Sequence, residues 1–191
     1  MRDISAVCFD AFGTLISFQR RRTNPYRHLL QMEQSAELDK LPLLTRAVSV
    51  ETLAQERGVS HLLPKIRAEL NEELQGLALF PEVELILNKL KHAGKRIAVC
   101  SNLAAAYGPA VHKLLPSMDA YILSFEAGVA KPDPPIYKLV CSALECAPDS
   151  VLFVGDSKRC DLYGPRACGL QSRWLNRRGG ENLVDALSGY L

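Results

Sequence analysis

The chain has 191 residues, enough for one well-buried domain and a small insert. A hydrophobic content of 48% and a charged content of 23% are ordinary for a globular protein, and a formal net charge of +2 gives no reason to expect nucleic acid as a partner. No apolar run approaches the ~20 residues of a membrane-spanning helix, so no membrane partner is expected; Arg2 and Asp3 precede a strand pattern without a signal-peptide profile, and a cytoplasmic protein is expected.

Residues 4–9 form an apolar run cut off by Asp10 and then by Gly13 and Thr14. That is the pattern of a buried strand ending in a tight turn, with a carboxylate at its C-terminal edge. Ligands of open α/β sheets bind just beyond such edges. Taken alone, Asp10 suits a nucleophile, a metal ligand or a helix N-cap.

Residues 17–79 show no convincing strand and several helical patterns. Asn24-Pro25 is a helix start. Over 42–57, Leu44, Ala47, Val48 and Leu53 recur at helical spacing until Gly58 stops them. Pro64 begins another helix, with Ile66 and Leu70 inward. The segment reads as a small helical insertion between the first strand and the rest of the sheet. Arg20, Arg21, Arg22 and Arg27 at its entry read as a solvated hinge, with an anion-attracting lip over the site as the alternative.

From Phe80 strand and helix alternate. An amphipathic helix is expected over 81–93, a strand over 96–100 closed by Ser101-Asn102, and a helical stretch over 104–115 interrupted at Gly108-Pro109. A strand over 120–125 leads to Lys131 and a helix carrying Ile136, Leu139, Val140 and Leu144. Another strand over 150–154 is closed by Gly155-Asp156-Ser157, followed by a helix near 161–168, a last strand near 172–175 and a terminal helix over 181–187. This alternation predicts an α/β fold: a Rossmann-like parallel sheet with helices on both faces, plus the small helical insert. The expected division is a core of 1–16 and 80–191 and an insert of 17–79. No two of the six cysteines have CxxC spacing, so reduced structural thiols are expected, Cys8 and Cys100 as small hydrophobes inside strands.

Each main strand thus ends in a residue suited to phosphate or carboxylate chemistry: Asp10, then Ser101 and Asn102, then Lys131 beyond the third, then Asp156, Ser157 and Asp161. Parallel strand ends share one sheet edge, so these groups can converge.

The motifs FDAFGTL, CSN, KPDPPIY and FVGDSKRCD resemble the four motifs of the haloacid dehalogenase superfamily of aspartate-nucleophile hydrolases, in order and over nearly the whole chain. The resemblance implies a Rossmann-like core under a helical cap placed after the first motif. It implies Asp10 as nucleophile, Ser101 and Asn102 as ligands of the transferred group, and Lys131 as the cation holding the nucleophile and the developing charge. It also implies Mg²⁺ on Asp10, Asp156 and the backbone carbonyl of Phe12, with Asp161 in support. Thr14 either caps the turn or bonds the Asp10 carboxylate. Tyr137 reads as packing. The substrate expected is a small anionic molecule.

Two departures divide the functional reading. Phosphatases of the superfamily carry a second Asp two residues after the nucleophile; here that position is Phe12, which can neither protonate a leaving alkoxide nor activate water. The aromatic residue, and the tail Trp174-Leu175-Asn176-Arg177, resemble the dehalogenase branch, where halide leaves without a proton. Asp156 and Asp161 keep the phosphatase pattern, and no arginine for a substrate carboxylate is assigned among Arg20, Arg21, Arg22, Arg27 and Arg46. Three readings result: a Mg²⁺-dependent hydrolase of phosphorylated small molecules with good leaving groups, a metal-independent 2-haloacid dehalogenase, and a catalytically impaired phospholigand- or partner-binding protein.

Overall fold

A computed structural model describes residues 4–19, 24–30 and 41–190. Five strands form the main sheet: β1 (Ala6–Phe9), β4 (Arg96–Ser101), β5 (Ala120–Leu123), β6 (Val151–Gly155) and β7 (Gln171–Trp174). Their order is β5-β4-β1-β6-β7, and every neighbouring pair is parallel. β1 is central, so its end is flanked by the ends of β4 and β6.

Strand alternation fills both faces of this sheet. Val7 and Phe9 point to one side, with Ile97, Val99, Leu152 and Val154, against α4 (Val83–His92), α5 (Gly108–Leu114) and α9 (Leu183–Ala186). Ala6 and Cys8 point to the other, with Ala98, Cys100 and Phe153, against Ile136, Tyr137, Val140 and Leu144 of α7 (Pro134–Leu144). All six cysteines are free thiols, and Cys8 and Cys100 are fully buried. No helix among the described residues is long and apolar enough to cross a membrane.

The segment between the first strand and Phe80 differs from the sequence reading in two ways. It is bounded by strands, not helices alone: β2 (Ile16–Phe18) and β3 (Leu77–Leu79) pair antiparallel, Ile16 opposite Leu79. Three residues are too few for an alternation to register, which is why the ribbon escapes pattern reading. The helix expected over 42–57 is two pieces, α1 (Leu41–Leu44) and α2 (Val50–Glu56). Ser49 is extended, and its hydroxyl accepts the Thr52 N–H, so a side-chain cap starts the second piece afresh. α3 (Leu63–Gln75) follows as expected, burying Ile66 and Leu70.

Gly108-Pro109 does not interrupt a helix; it begins α5, with Pro in the first turn where its missing N–H costs nothing. The strand expected over 120–125 stops at Leu123, where α6 (Ser124–Ala127) takes over. After β6, one turn of π-helix, Lys158–Tyr163, leads into α8 (Gly164–Ala167). Arg20, Arg21 and Arg22 lie outside the described residues.

Candidate functional site

β1 and β6 are held in register from Ala6↔Val151 to Phe9↔Val154, and the Asp10 N–H continues the ladder to the Val154 carbonyl. Asp10 is therefore a strand-end residue and not a helix cap. Beyond it the chain turns sharply. The N–H groups of Thr14, Leu15 and Ile16 converge on the Ala11 carbonyl, and none of the turn bonds recorded among the described residues lands on the Phe12 carbonyl. Gly13 makes the turn possible twice over. Its φ is +82°, and a Cβ there would lie 2.4 Å from Asp156 Oδ2. Gly155 serves Asp161 in the same way, since a Cβ would meet that carboxylate at 2.4 Å.

Lys131 arrives from the loop before α7. Its ammonium donates to Asp10 Oδ1 and to Asp161 Oδ1, both at 2.7 Å, and all three residues are buried. Burial works against the Lys131 charge, but Asp10 and Asp161 outweigh it and hold the ammonium well above the ordinary lysine range. Burial pushes the Asp10 carboxyl up from 3.8 to about 6; Lys131 pulls it down, while Asp161 and Asp156 push it further up. Asp156 is also raised, by burial and then by Asp161. A carboxylate oxygen from each of Asp10, Asp156 and Asp161 lies within 4.8 Å of the others. Among the described residues Lys131 is the cation bonded within this group, and Arg178 acts on Asp156 from further off; the carboxylates push one another's values up, and hard oxygen donors suit Mg²⁺. The donor set thus fits the ion. Asp161 is already engaged on both oxygens, Oδ1 by Lys131 and Oδ2 by the Ser157 N–H at 2.9 Å, so Asp10 and Asp156 are the acids left to face a metal.

Ser101, the last residue of β4, donates its hydroxyl to Asp10 Oδ1 at 3.2 Å. Asn102 does something the sequence did not suggest. Its amide clamps the Lys131 backbone, donating to the carbonyl at 2.7 Å and accepting the N–H at 2.8 Å. Asn102 therefore fixes the lysine's entry to the site. Only the 29-residue separation, bridged by tertiary structure, hides this from the sequence. Thr14 meets neither of its two expected roles: its buried hydroxyl has no hydrogen-bond partner among the described residues. Tyr137 packs edge-on against Phe153, and its hydroxyl donates to the Cys160 carbonyl at 2.6 Å, tying the π-turn that carries Asp161 to α7. The Trp174 indole N–H holds the Asp156 carbonyl at 2.8 Å, a contact the sequence gives no sign of.

Arg27 grips Glu69 through two hydrogen bonds at 2.7 and 2.8 Å, and Arg46 grips Glu56 likewise. Both guanidiniums are thus committed to carboxylates on the insert.

A cavity of about 190 Å³ opens where Phe12, two residues beyond Asp10, and Asn102, next to Ser101, form part of the wall; Phe18, Tyr26, Leu43 and Tyr107 also line it. The Phe12 ring stacks on Phe18 at 4.8 Å and meets Tyr107 edge-on at 5.5 Å. The Tyr107 hydroxyl donates to buried Glu73 of α3 at 3.1 Å.

A family model described as haloacid dehalogenase-like hydrolase matches residues 4–169. Similar characterised proteins are of two kinds. A phosphoserine phosphatase of Thermus thermophilus is 27% identical over 66% of this chain and 52% of its own length. (S)-2-haloacid dehalogenase 4A of Burkholderia cepacia is 28% identical over 92% of this chain and 84% of its own. The chain thus spans about half the length of the first relative and most of the second. Among solved structures, a HAD family enzyme from Bacteroides thetaiotaomicron in complex with magnesium and inorganic phosphate superposes with a TM-score of 0.71, at 18% identity, covering 94% of this chain and 97% of that one. At that identity the likeness speaks for the fold.

Proposed function

Because the chain belongs to the haloacid dehalogenase-like hydrolases, we propose that it is a Mg²⁺-dependent hydrolase of a small phosphorylated molecule with a good leaving group, with Asp10 as its nucleophile. The observation that carries this reading is the cluster of Asp10, Asp156 and Asp161, with Lys131 bonded to two of the three among the described residues. Carboxylates that push one another's values up favour a cation among them.

Asp10 attacks phosphorus as the bond to the leaving oxygen breaks and that oxygen departs with the electron pair. Water then attacks the phosphorus of the aspartyl phosphate, the bond to Asp10 breaks, the carboxylate is restored and the water proton passes to the phosphate product or solvent. Ser101 binds the transferred group, and Lys131 orients Asp10 and offsets negative charge as it develops. Asn102 positions Lys131. Asp10, Asp156 and the Phe12 carbonyl would hold Mg²⁺, which supplies charge neutralisation on the phosphoryl oxygens. Residues 17–79 act as the cap and residues 80–191 with 1–16 as the core. Phe12 offers no proton, so leaving groups that depart unprotonated are favoured.

The second reading, a metal-free 2-haloacid dehalogenase, is favoured by Phe12, since halide needs no acid. Among the described residues Arg27 and Arg46 pair with glutamates of the insert, and Arg20, Arg21 and Arg22 lie outside them, so the arginines do not separate the two readings.

The test is phosphate and halide release from acetyl phosphate, alkyl phosphates and 2-haloacids, with Mg²⁺ and with EDTA, beside Asp10→Asn. Phosphate release from acetyl phosphate that requires both Mg²⁺ and Asp10 is expected. Halide release that persists in EDTA would replace this reading with the second.

A further inference from the structure

We propose that the cavity beside Asp10 receives the leaving group as a single aromatic ring, so that the substrate is an aryl phosphate. The inference rests on the hydrolase reading above and deepens it.

The lining comes first. Phe12 and Phe18 stack at 4.8 Å, Tyr107 stands edge-on to both, and Tyr26 is 5.9 Å from Tyr107 between ring centroids. Leu43, Leu103 and Ala104 add aliphatic wall; the Asn102 amide is bonded on both sides to the Lys131 backbone, and the Asn24 side-chain oxygen accepts the Tyr26 N–H. The Tyr107 hydroxyl donates to Glu73. A slot of this kind favours a flat apolar group, with stacking and edge contacts available to it.

Size agrees. The cavity measures about 190 Å³. An apolar cavity of about 150 Å³ accepts benzene. One ring fits.

Position agrees as well. Phe12 lies two residues beyond Asp10, and Asn102 follows Ser101, whose hydroxyl touches Asp10. A phosphoryl group held at Asp10 and Ser101 therefore has this slot next to it.

Chemistry supplies the last and independent argument. The side chain that removes the general acid is the side chain that builds the slot. A phenol ionises near pH 10, as tyrosine does, roughly six units below water. An aryl oxide can leave with the electron pair of the broken phosphorus–oxygen bond and take its proton later from solvent, far more readily than an alkoxide. Acyl phosphates share that advantage but give the aromatic slot nothing to bind.

Binding and turnover test this together. Benzylphosphonate, a non-hydrolysable stand-in for phenyl phosphate, and methylphosphonate are titrated into the full chain with Mg²⁺ by calorimetry. Phenyl and acetyl phosphate are compared as substrates. Benzylphosphonate is expected to bind at least about tenfold more tightly than methylphosphonate, the worth of burying one ring. Ala104→Leu, which fills the slot, is expected to remove most of that preference and to lower kcat/KM for phenyl phosphate about tenfold more than for acetyl phosphate. Should that variant fail to fold, the wild-type comparison decides alone. Equal affinity for the two phosphonates, with acetyl phosphate still turned over through Asp10, would overturn the aryl inference and leave the hydrolase reading standing. Absence of phosphate release from both substrates would overturn the hydrolase reading and the inference with it.

Discussion

The Lys131 ammonium lies 2.7 Å from Asp10 Oδ1 and 2.7 Å from Asp161 Oδ1, with its side chain only 2% exposed. One buried cation thus ties the end of β1 to the π-turn after β6. Removing it leaves two buried carboxylates uncompensated. Lys131→Met is expected to destabilise the metal-free protein by about 3–5 kcal/mol, the usual cost of taking one partner from a buried ion pair. Lys131→Arg is not expected to restore activity, because a planar fork cannot replace a point charge between two acids. Urea unfolding midpoints and phosphate release check both statements. Unchanged stability in Lys131→Met would mean the acids are protonated or solvated.

Stability should also depend on pH through Asp10. Its folded value, about 6, lies above the ordinary 3.8. The folded chain therefore holds the proton more tightly than the unfolded chain. The stabilisation from this group is fully present below about pH 4 and is lost as pH rises through 6. Thermal melts of the metal-free wild type and Asp10→Asn should show the variant relatively more stable at pH 7.5 than at pH 4. Mg²⁺ should narrow the gap at pH 7.5 by stabilising the wild type. A constant difference across this range would remove the raised carboxyl from the account.

Much of this geometry was legible in the chain because Asp10, Ser101 and Asp156 stand where an apolar strand run meets a polar residue. Lys131 and Asp161 lie further on, in the loop before α7 and in the π-turn, and come into view through the motif resemblance; the structure brings all five to one edge of the sheet. What stayed hidden depends on partners far along the chain. The Asn102 amide grips a backbone 29 residues away, and the Trp174 indole holds the carbonyl of a residue 18 earlier. The β2–β3 ribbon is invisible for another reason: its strands are three residues each, paired across an insertion of some 60 residues. The Phe12–Phe18 stack belongs to the same class, since β2 brings Phe18 back over the turn.

Phe12→Asp should return a general acid–base to the site. Turnover of alkyl phosphates is expected to rise by about 10²–10⁴-fold, the typical worth of such a group. The same change removes a stacked ring from the cavity wall, so the melting temperature should fall and the preference for aryl leaving groups with it. Initial-rate measurements on an alkyl and an aryl phosphate read both effects. No gain on alkyl phosphates would show that proton transfer does not limit the wild-type reaction.

Gly13→Ala tests the close approach of the turn to Asp156. The added Cβ would sit 2.4 Å from Asp156 Oδ2. Gly94→Ala is the control, with a similar positive φ of +68° and open space at the Cβ position. Both substitutions should cost about 1–2 kcal/mol for the left-handed backbone. Only Gly13→Ala should also abolish the rise in melting temperature that Mg²⁺ produces. An equal Mg²⁺ response in the two variants would place the ion away from Asp156.

The central claim, that Asp10 takes up a phosphoryl group, is tested most directly by peptide mass spectrometry on protein quenched in acid during turnover of acetyl phosphate. The expected result is one phosphoryl group on the peptide containing Asp10, present with Mg²⁺, absent with EDTA and absent in Asp10→Asn. An unmodified Asp10 peptide under turnover, or an alkyl ester on Asp10 formed from 2-chloropropionate in EDTA, would contradict it.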